Sequence, residues 1–298
     1  MRPTLLGCWA TITLLFTVAS NGYAEDARTS LEIPAEILRV VSFNIRYLNS
    51  HDGVNNWEHR RDMMAAFFQF HQIDVAGLQE AIRPQIGDLE ERLREFGWVG
   101  VGRNNGKDEG EFTPIVYRKN RIEVIKTGHF WLSDKPDEIG SVGWDAAMTR
   151  MVTWARLKEK NSGRTFAVFN THFDHVGNMA RIESAKLLRR KCKELSADVP
   201  FLITGDFNCR EDSEPYRAML APSAEEDKVR DARYASKTPH YGPVSTWNGF
   251  QNIEPGKKID FIFVGKGISV WRHGVLADRF DDRFLSDHLP VVADVSIE

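Results

Sequence analysis

The chain has 298 residues, with 39 basic and 42 acidic side chains and a formal net charge of −3 at pH 7. This length fits one large domain better than several small ones. Proteins that bind nucleic acid without sequence preference usually carry a strongly basic face. The slightly acidic balance therefore argues against a processive or non-specific nuclease.

The N-terminus has the pattern of an export signal. Arg2 precedes a short, mostly apolar run, and the small residues Gly22 and Ala24 precede a predicted cut. The run is shorter than the ~20 apolar residues of a membrane span, so no stable membrane anchor is expected. We predict a secreted or periplasmic protein that is cleaved near Ala24, with a signal peptide over 1–24, a short segment over 25–32 and one domain over 33–298.

Cleavage at this point removes one charged residue, Arg2, and leaves 38 basic and 42 acidic side chains, a net charge of −4. Two cysteines remain, Cys192 and Cys209. Nothing in their spacing requires a disulfide, and free thiols and a pair both stay open. No Cys/His spacing indicates a zinc finger.

In chain order, the strand VVSFN is followed by a polar loop over 49–56 and a helix from Trp57 to about His71. A Met/Phe stripe with helical spacing along this helix is typical of core packing. The strand DVAGLQE and the helix PQIGDLEERLREF come next, and then five strands, WVGVG, PIVYRK, IEVIKTGHF, MVTWARL and RTFAVFNTH. A helix from about Met179 to Leu195 precedes PFLITGDFN, and the strands KIDFIFV, ISVWR and PVVADVSI end the chain. Strands outnumber single helices, which favours two packed sheets with helices outside.

Four apolar runs begin or end at polar side chains. VVSFN ends at Asn44, DVAGLQE at Glu80 and PFLITGDFN at Asp206 and Asn208, while Asp287 precedes the last strand. Buried strands of this kind deliver their terminal side chains to the rim of a sheet. A cluster of hard oxygen ligands suits Mg²⁺ or Mn²⁺, ions that assist phosphoryl chemistry. The pattern predicts a metal-dependent phosphoesterase.

Asp206 and Asn208 lie two residues apart, so an extended backbone projects both side chains to the same side. An Asx turn at the strand end is the ordinary alternative. A carboxylate at Asp260 is expensive to bury unless paired. Pairing with His288 would fix the tautomer of that imidazole, whereas a salt bridge to Lys258 is the local alternative.

The segment NTHFDH places His172 at the end of a strand, where it is the expected second imidazole of the site. The spacing lacks the H-x-H-x-D-H arrangement of a zinc site, so zinc is not expected. The roles of Asp174 and His175 stay open. No nucleophile elbow, P-loop, G-x-G-x-x-G or H-E-x-x-H motif occurs, so covalent serine catalysis is unsupported.

These motifs, SFNIR, LQE, NTHFDH, GDFN, KIDFIFV and SDHLP, resemble those of the endonuclease/exonuclease/phosphatase superfamily over essentially the whole mature chain. The resemblance implies an α+β fold, the deoxyribonuclease-I-like four-layered αββα sandwich of two mixed sheets flanked by helices. It implies Glu80 and Asp287 as metal ligands with Asn44 helping. Further segments, such as GRNNGKDEGEFTPIVYRK, resemble a secreted bacterial and fungal branch whose substrate is poorly defined.

The resemblance also implies roles for the other site residues. Asp206 would orient or deprotonate the attacking water, and Asn208 would contact phosphate. His172 and His288, the latter supported by Asp260, would stabilise the transition state or protonate the leaving oxygen. A divalent ion, Mg²⁺ or Mn²⁺, would neutralise the developing charge.

Substrate contacts are the least defined part of the site. Arg46, Arg150 and Arg181 adjoin motifs and are candidates to bind phosphate, although each could be a surface charge. Glu111 could bind a hydroxyl group, and Trp247 is one of four tryptophans, with Trp57, Trp131 and Trp144, expected in loops or at strand ends.

We expect a monomer acting on a small or carbohydrate-linked phosphate, as a diesterase or a monoesterase. A secreted nuclease acting on DNA or RNA is the less favoured alternative. A non-catalytic glycan-binding protein is the second alternative, and the presence of Glu80, Asp206 and His288 argues against it.

Overall fold

Two six-stranded sheets form the centre of the molecule in a computed structural model that describes residues 36–196, 199–221 and 228–298. The predicted signal peptide and the segment over 25–32 lie outside the described residues. The first sheet has the spatial order β11 (Ile268–Val275), β14 (Val291–Ile297), β1 (Leu38–Asn44), β2 (Val75–Gln79), β4 (Ile115–Arg118) and β3 (Phe96–Val99).

The second sheet has the order β5 (Ile122–Trp131), β6 (Met151–Glu159), β7 (Thr165–His172), β8 (Phe201–Asp206), β10 (Asp260–Val264) and β9 (Arg230–Asp231). Each sheet contains one parallel pair at its centre, β1 with β2 and β7 with β8, and antiparallel pairs elsewhere. A separate short hairpin joins β12 (Arg279–Phe280) and β13 (Arg283–Phe284).

The longer helices pack on the outer faces of the two sheets. Apolar side chains of α1 (Trp57–Phe70) and α2 (Arg83–Arg92) form one core with β1 and β2, whereas α3 (Asn178–Ser196) and α4 (Glu214–Leu220) pack against β7, β8 and β10. A third apolar cluster fills the space between the sheets. The predicted four-layered αββα sandwich is therefore confirmed. A further short helix, α5 (Ala232–Ala235), follows β9.

Several sequence expectations hold locally. The Met/Phe stripe of α1 is buried core, and the predicted polar loop over 49–56 contains a 3-10 turn at Ser50–Asn55. Cys192 and Cys209 are both free and buried, so the described part of the chain contains no disulfide between them. No described helix has the length and apolar character needed to cross a bilayer.

A buried polar network joins the two sheets beneath one edge. The Asn170 amide on β7 donates to the carbonyls of Leu78 (2.7 Å) and Pro114 (3.0 Å), while its oxygen accepts from Gln79 (2.7 Å) and Thr204 (3.0 Å). Every donor and acceptor of the Asn170 amide is occupied, whereas the Oε1 atom of Gln79 is buried without a partner. The network fixes the spacing of the two sheets.

Gly77 on β2 permits this close approach. A Cβ atom at this position would collide with the Thr204 hydroxyl and the Asn170 amide. The glycine in VAGLQ is therefore required by the distance between the sheets.

Candidate active site

The polar side chains meet at one edge of the sandwich because of the strand directions. The parallel strands β1 and β2 both end at this edge, as do β7 and β8 of the other sheet. Strand β10 runs antiparallel to β8 and starts there, with Asp260 opposite Asp206. Residues far apart in the sequence thus converge, as the pattern of strand ends predicts.

The Asp206 carboxylate is the centre of this group. Its Oδ2 atom accepts a hydrogen bond from the Asn44 amide at 2.9 Å and lies 3.5 Å from His172 Nε2 and 3.7 Å from His288 Nε2. Its Oδ1 atom accepts from the backbone N–H of Asn208 at 2.9 Å. All but Asn208 are buried, so charges in this group act through a poorly screened environment.

Asp260 orients His288. The Asp260 Oδ2 atom accepts from His288 Nδ1 at 2.8 Å, which leaves Nε2 facing Asp206. Lys258, the local alternative partner of Asp260, instead forms ion pairs with Glu211 (2.7 Å) and Asp231 (3.1 Å).

Burial and neighbouring charge set the proton affinities of this pair. Burial, reinforced by the negative charge of Asp260, raises the pKa of Asp206 to about 6. Burial alone would lower the pKa of His288, but the Asp260 and Asp206 carboxylates outweigh it and raise the pKa to about 10. At neutral pH the site therefore holds an ionised carboxylate beside a protonated imidazole.

Asn44 links this group to the Glu80 carboxylate. The same amide nitrogen that binds Asp206 donates to Glu80 Oε1 at 3.0 Å, and Glu80 Oε2 accepts from the Tyr47 backbone N–H at 3.1 Å. The Asn44 side-chain oxygen accepts from the backbone of Arg46 at 3.0 Å. Glu80 and Asp206 thus lie on either side of one amide group.

Asp287 lies on the same side of the site. Its Oδ1 atom accepts from the Ser286 hydroxyl at 3.1 Å, and the same hydroxyl is 2.7 Å from the Asn44 carbonyl oxygen. Its Oδ2 atom is 3.8 Å from the Arg46 guanidinium. Ser286 therefore positions Asp287 against the end of β1, a role that the SDHLP motif alone did not indicate.

The sequence model of the Endonuclease/Exonuclease/phosphatase family matches residues 41–288, a span that includes every side chain of this group. The chain belongs to this family. Its members are phosphoric ester hydrolases, among them phosphatases, phosphodiesterases and nucleases.

Solved structures agree with this membership. An endonuclease/exonuclease/phosphatase from Bacteroides vulgatus is 39% identical, with a TM-score of 0.84 over 88% of this chain and 99% of that one. The Bacteroides thetaiotaomicron mannosyl-6-phosphatase Bt3783 is 35% identical, with a TM-score of 0.81 over 87% of this chain and 100% of that one.

A more distant curated relative is larger. Human nocturnin is 23% identical over 81% of this chain, and the match spans 59% of nocturnin. Danio rerio TDP2, solved with a single-stranded DNA product, shares 20% identity and a TM-score of 0.69 over 88% of this chain and 99% of that one, and shows the fold alone.

Enzymes of the Endonuclease/Exonuclease/phosphatase family depend on divalent metal ions, and this site offers two groups of ligands. The carboxylates of Glu80 and Asp287 and the Asn44 amide oxygen are hard oxygen donors of the kind that Mg²⁺ and Mn²⁺ prefer. A second group, Asp206, Asp260 and His288, has potential ligand atoms within 4.8 Å of one another and could also hold a metal ion. The residues present therefore fit a divalent ion.

Three residues of this edge have left-handed backbone conformations. Arg46 has a φ of 56°, Glu80 of 61° and Asn208 of 46°. Non-glycine residues avoid this region, at a cost of about 1–3 kcal/mol each, and such residues cluster at functional sites. Glu80 directly follows β2, and Arg46 and Asn208 lie two residues after the ends of β1 and β8, so the chain turns at these positions where it leaves each strand. No sequence pattern indicated it.

Glu111 and Arg103 form the wall beyond His172. Glu111 Oε2 is 2.7 Å from the Arg103 guanidinium and 3.8 Å from His172 Nδ1. Burial raises the pKa of Glu111, while burial and the positive charges of Arg150 and Arg103 hold the pKa of His172 well below its usual range. His172 is therefore neutral, unlike His288. Arg103 was missed by sequence reasoning, because no local motif marks a loop arginine.

The predicted substrate contacts differ in their surroundings. Arg46 binds Asp52 through two hydrogen bonds of 3.0 Å. Arg150 is buried beside Asp174 (3.5 Å) and His175 (3.0 Å). These contacts place Asp174 and His175, whose roles the sequence left open, next to a buried arginine.

The tryptophans divide into two groups. Trp57 and Trp131 are fully buried, so they cover the core and cannot stack on a substrate. The Trp131 indole donates to the Arg103 carbonyl at 2.8 Å and thereby supports that wall of the site. Trp144 is exposed, and Trp247 packs edge-on against the His288 ring with a centroid distance of 4.8 Å.

Proposed function

We propose that the protein is a secreted Mg²⁺- or Mn²⁺-dependent phosphoesterase that hydrolyses the phosphate ester of a phosphorylated carbohydrate. The observation that carries the proposal is the position of the Asp206 carboxylate, within 3.7 Å of both imidazoles and bonded to Asn44. The 35% identity with a mannosyl-6-phosphatase over all of that chain supports a sugar phosphate as the substrate.

The mechanism needs no covalent intermediate. Asp206 orients a water molecule and takes its proton as the oxygen attacks phosphorus in line with the leaving alkoxide. The protonated His288, held by Asp260, stabilises the charge that develops on the phosphoryl oxygens or protonates the leaving oxygen. Asn208 and the neutral His172, whose side chains lie 3.0 Å apart, bind the phosphoryl group from the other side.

We place the divalent ion at Glu80 and Asp287, with help from Asn44. In the other group, the Asp260 and Asp206 carboxylates, 2.8 Å and 3.7 Å from the two nitrogens of His288, keep that imidazole protonated, and a protonated imidazole does not bind a metal ion. Each oxygen of the Glu80 carboxylate accepts one hydrogen bond. Among the described residues, the Asp287 carboxylate accepts one at Oδ1 and none at Oδ2. When bound, the ion neutralises charge on the phosphate oxygens.

Export is part of the proposal. It rests on the N-terminal pattern of Arg2, the apolar run and the small residues before Glu25. A secreted or periplasmic phosphoesterase would meet phosphorylated glycans outside the cytoplasm. Comparison of the N-terminal sequence of protein recovered from the culture supernatant or periplasm with that of the full chain tests this part separately.

The test of the substrate is a comparison of hydrolysis rates with purified residues 25–298 and Mg²⁺. Mannose 6-phosphate, bis-p-nitrophenyl phosphate and plasmid DNA represent a sugar monoester, a simple diester and a nucleic acid. The proposal predicts the highest kcat/KM for the sugar phosphate. Faster cleavage of plasmid DNA than of the sugar phosphate would instead support the nuclease.

A further inference from the structure

A cleft of about 460 Å³ opens beside Asn208, at the edge of the active site. Its walls include Asn178, Arg181, Arg210, Trp247 and Lys257, and we call it the Arg181 cleft. Clefts of a few hundred Å³ accommodate molecules larger than a phosphate group. The cleft therefore has room for a substantial part of a substrate outside the reacting centre.

The Arg181 cleft is continuous with the reaction centre through two of its lining residues. Asn208 contacts His172, and its backbone binds Asp206. Trp247 packs against the ring of His288. A substrate whose phosphate lies next to Asp206 and His288 would therefore extend into this cleft on one side.

Three cationic side chains line the cleft, and two of them have carboxylate partners. Arg210 forms an ion pair with Asp212 at 3.1 Å, and Lys257 forms one with Glu254 at 2.6 Å. These two charges are already compensated, and they are exposed enough for solvent to screen them.

Arg181 is different. Its guanidinium donates to the Asp174 carbonyl oxygen at 3.0 Å and contacts the Asn178 amide oxygen at 3.4 Å, and its Nε atom is buried without a hydrogen-bond partner. No carboxylate in the described ranges forms an ion pair with it. The Asp174 carboxylate is turned to the backbone N–H groups of Val176 and Gly177. A fixed guanidinium with uncompensated charge is a site for an anion.

We infer that Arg181 binds a second anionic group of the substrate, a phosphate or a carboxylate, separate from the phosphate that reacts. This inference rests on the proposed function, because it describes the substrate of the same site. The substrate class becomes a phosphorylated carbohydrate with a further negative charge. The Arg181 guanidinium selects this doubly anionic substrate over a sugar that carries a single phosphate.

The experiment measures binding by isothermal titration calorimetry to the Asp206→Asn protein with Mg²⁺, so that turnover does not interfere. Glucose 6-phosphate carries one anionic group. Glucose 1,6-bisphosphate carries a second phosphate, and 6-phosphogluconate carries a carboxylate in addition to its phosphate. We expect one or both doubly anionic ligands to bind about tenfold more tightly than glucose 6-phosphate. The one with the higher affinity identifies whether the second anion is a phosphate or a carboxylate.

Adding Arg181→Gln should remove that preference, while Arg181→Lys should keep part of it. Lys257→Gln and Arg210→Gln are matched controls, because these cations line the same cleft but have carboxylate partners; each should retain the preference. An equal loss of affinity for all three ligands in Arg181→Gln would place Arg181 on the reacting phosphate and overturn the inference. Equal affinity of the Asp206→Asn protein with Arg181 intact for all three ligands would also overturn the inference.

The two proposals can fail separately. Binding preferences are measured without hydrolysis, so they test the second anion site alone. If the wild-type protein hydrolyses none of these sugar phosphates yet shows the Arg181-dependent preference, the proposed substrate class is wrong and the anion site stands.

Discussion

The amide of Asn44 at the end of β1 donates a hydrogen bond of 2.9 Å to the Asp206 carboxylate at the end of β8. Because β1 and β8 belong to different sheets, this contact crosses the sandwich directly at the active site. The same amide nitrogen binds Glu80. One neutral group therefore separates and positions two carboxylates that would otherwise repel each other.

Replacement of Asn44 by Ala should lower kcat by about 100-fold, because Asp206 and Glu80 both lose an orienting donor. The loss of stability should be smaller, about 1–2 kcal/mol, since each carboxylate retains a backbone donor. Steady-state kinetics and urea unfolding of the two proteins measure these effects. Asn161→Ala, at an exposed turn, is the control. A normal kcat in Asn44→Ala would remove this residue from the site.

Replacement of Asn170 by Leu should destabilise the fold by about 3 kcal/mol or more. The change removes the Asn170 hydrogen bonds to the buried carbonyls of Leu78 and Pro114 and the one from the Gln79 amide. The Pro114 carbonyl keeps the Leu78 N–H and the Gln79 amide keeps the Gly77 carbonyl, so the cost comes from lost bonds and from a larger apolar side chain in a polar network. Urea unfolding gives the free energy, and Asn252→Leu at an exposed position serves as the comparison. A loss below about 0.5 kcal/mol would mean that the network does not hold the sheets together.

His273 should make the folded state sensitive to acid. Burial, with the positive charge of Lys258, lowers the pKa of His273 from 6.5 to about 2. The unfolded chain therefore binds a proton at this residue below about pH 6.5 while the folded chain does not, so stability falls as the pH decreases. Between about pH 7.5 and pH 5 the contribution is about 2 kcal/mol. Urea unfolding at both pH values should show a correspondingly smaller decrease for His273→Gln. Identical pH dependence in both proteins would contradict this.

Removal of divalent ions should abolish hydrolysis, and Mg²⁺ or Mn²⁺ should restore it. Binding should also be visible without catalysis, because a ligand at 100 times its Kd stabilises a fold by about 2.7 kcal/mol. We expect Mg²⁺ to raise the Tm of the wild type by about 5 °C and that of Glu80→Gln much less. An equal rise in both would exclude Glu80 as a ligand. Full hydrolysis in metal-free buffer would refute the mechanism.

Much of this architecture was predictable from the sequence. The apolar runs that end at Asn44, His172 and Asp206 became strands whose ends lie at the site. Hydrophobic periodicity reports burial, and burial fixes where a strand must lie. The positions of the strand ends, and hence the convergence of the motifs, follow from these local signals.

Other features depend on contacts that no local pattern records. The short helix α4, with Pro215 in its first turn, and the two-residue strands are too short for a periodic signal. The buried indole of Trp131 is satisfied by the loop carbonyl of Arg103, and the left-handed conformation of Glu80 has no mark in the local sequence. Tertiary interactions decide such positions, and one sequence does not reveal them.

The most direct test of the central claim is the rate at which Asp206→Asn hydrolyses mannose 6-phosphate with saturating Mg²⁺. The amide keeps the shape of the carboxyl group but cannot take a proton from water. We predict a kcat at least about 100-fold below that of the wild type, with a circular dichroism spectrum and urea midpoint that show an intact fold. A kcat close to the wild-type value would show that the side chain at the centre of this site does not activate the water.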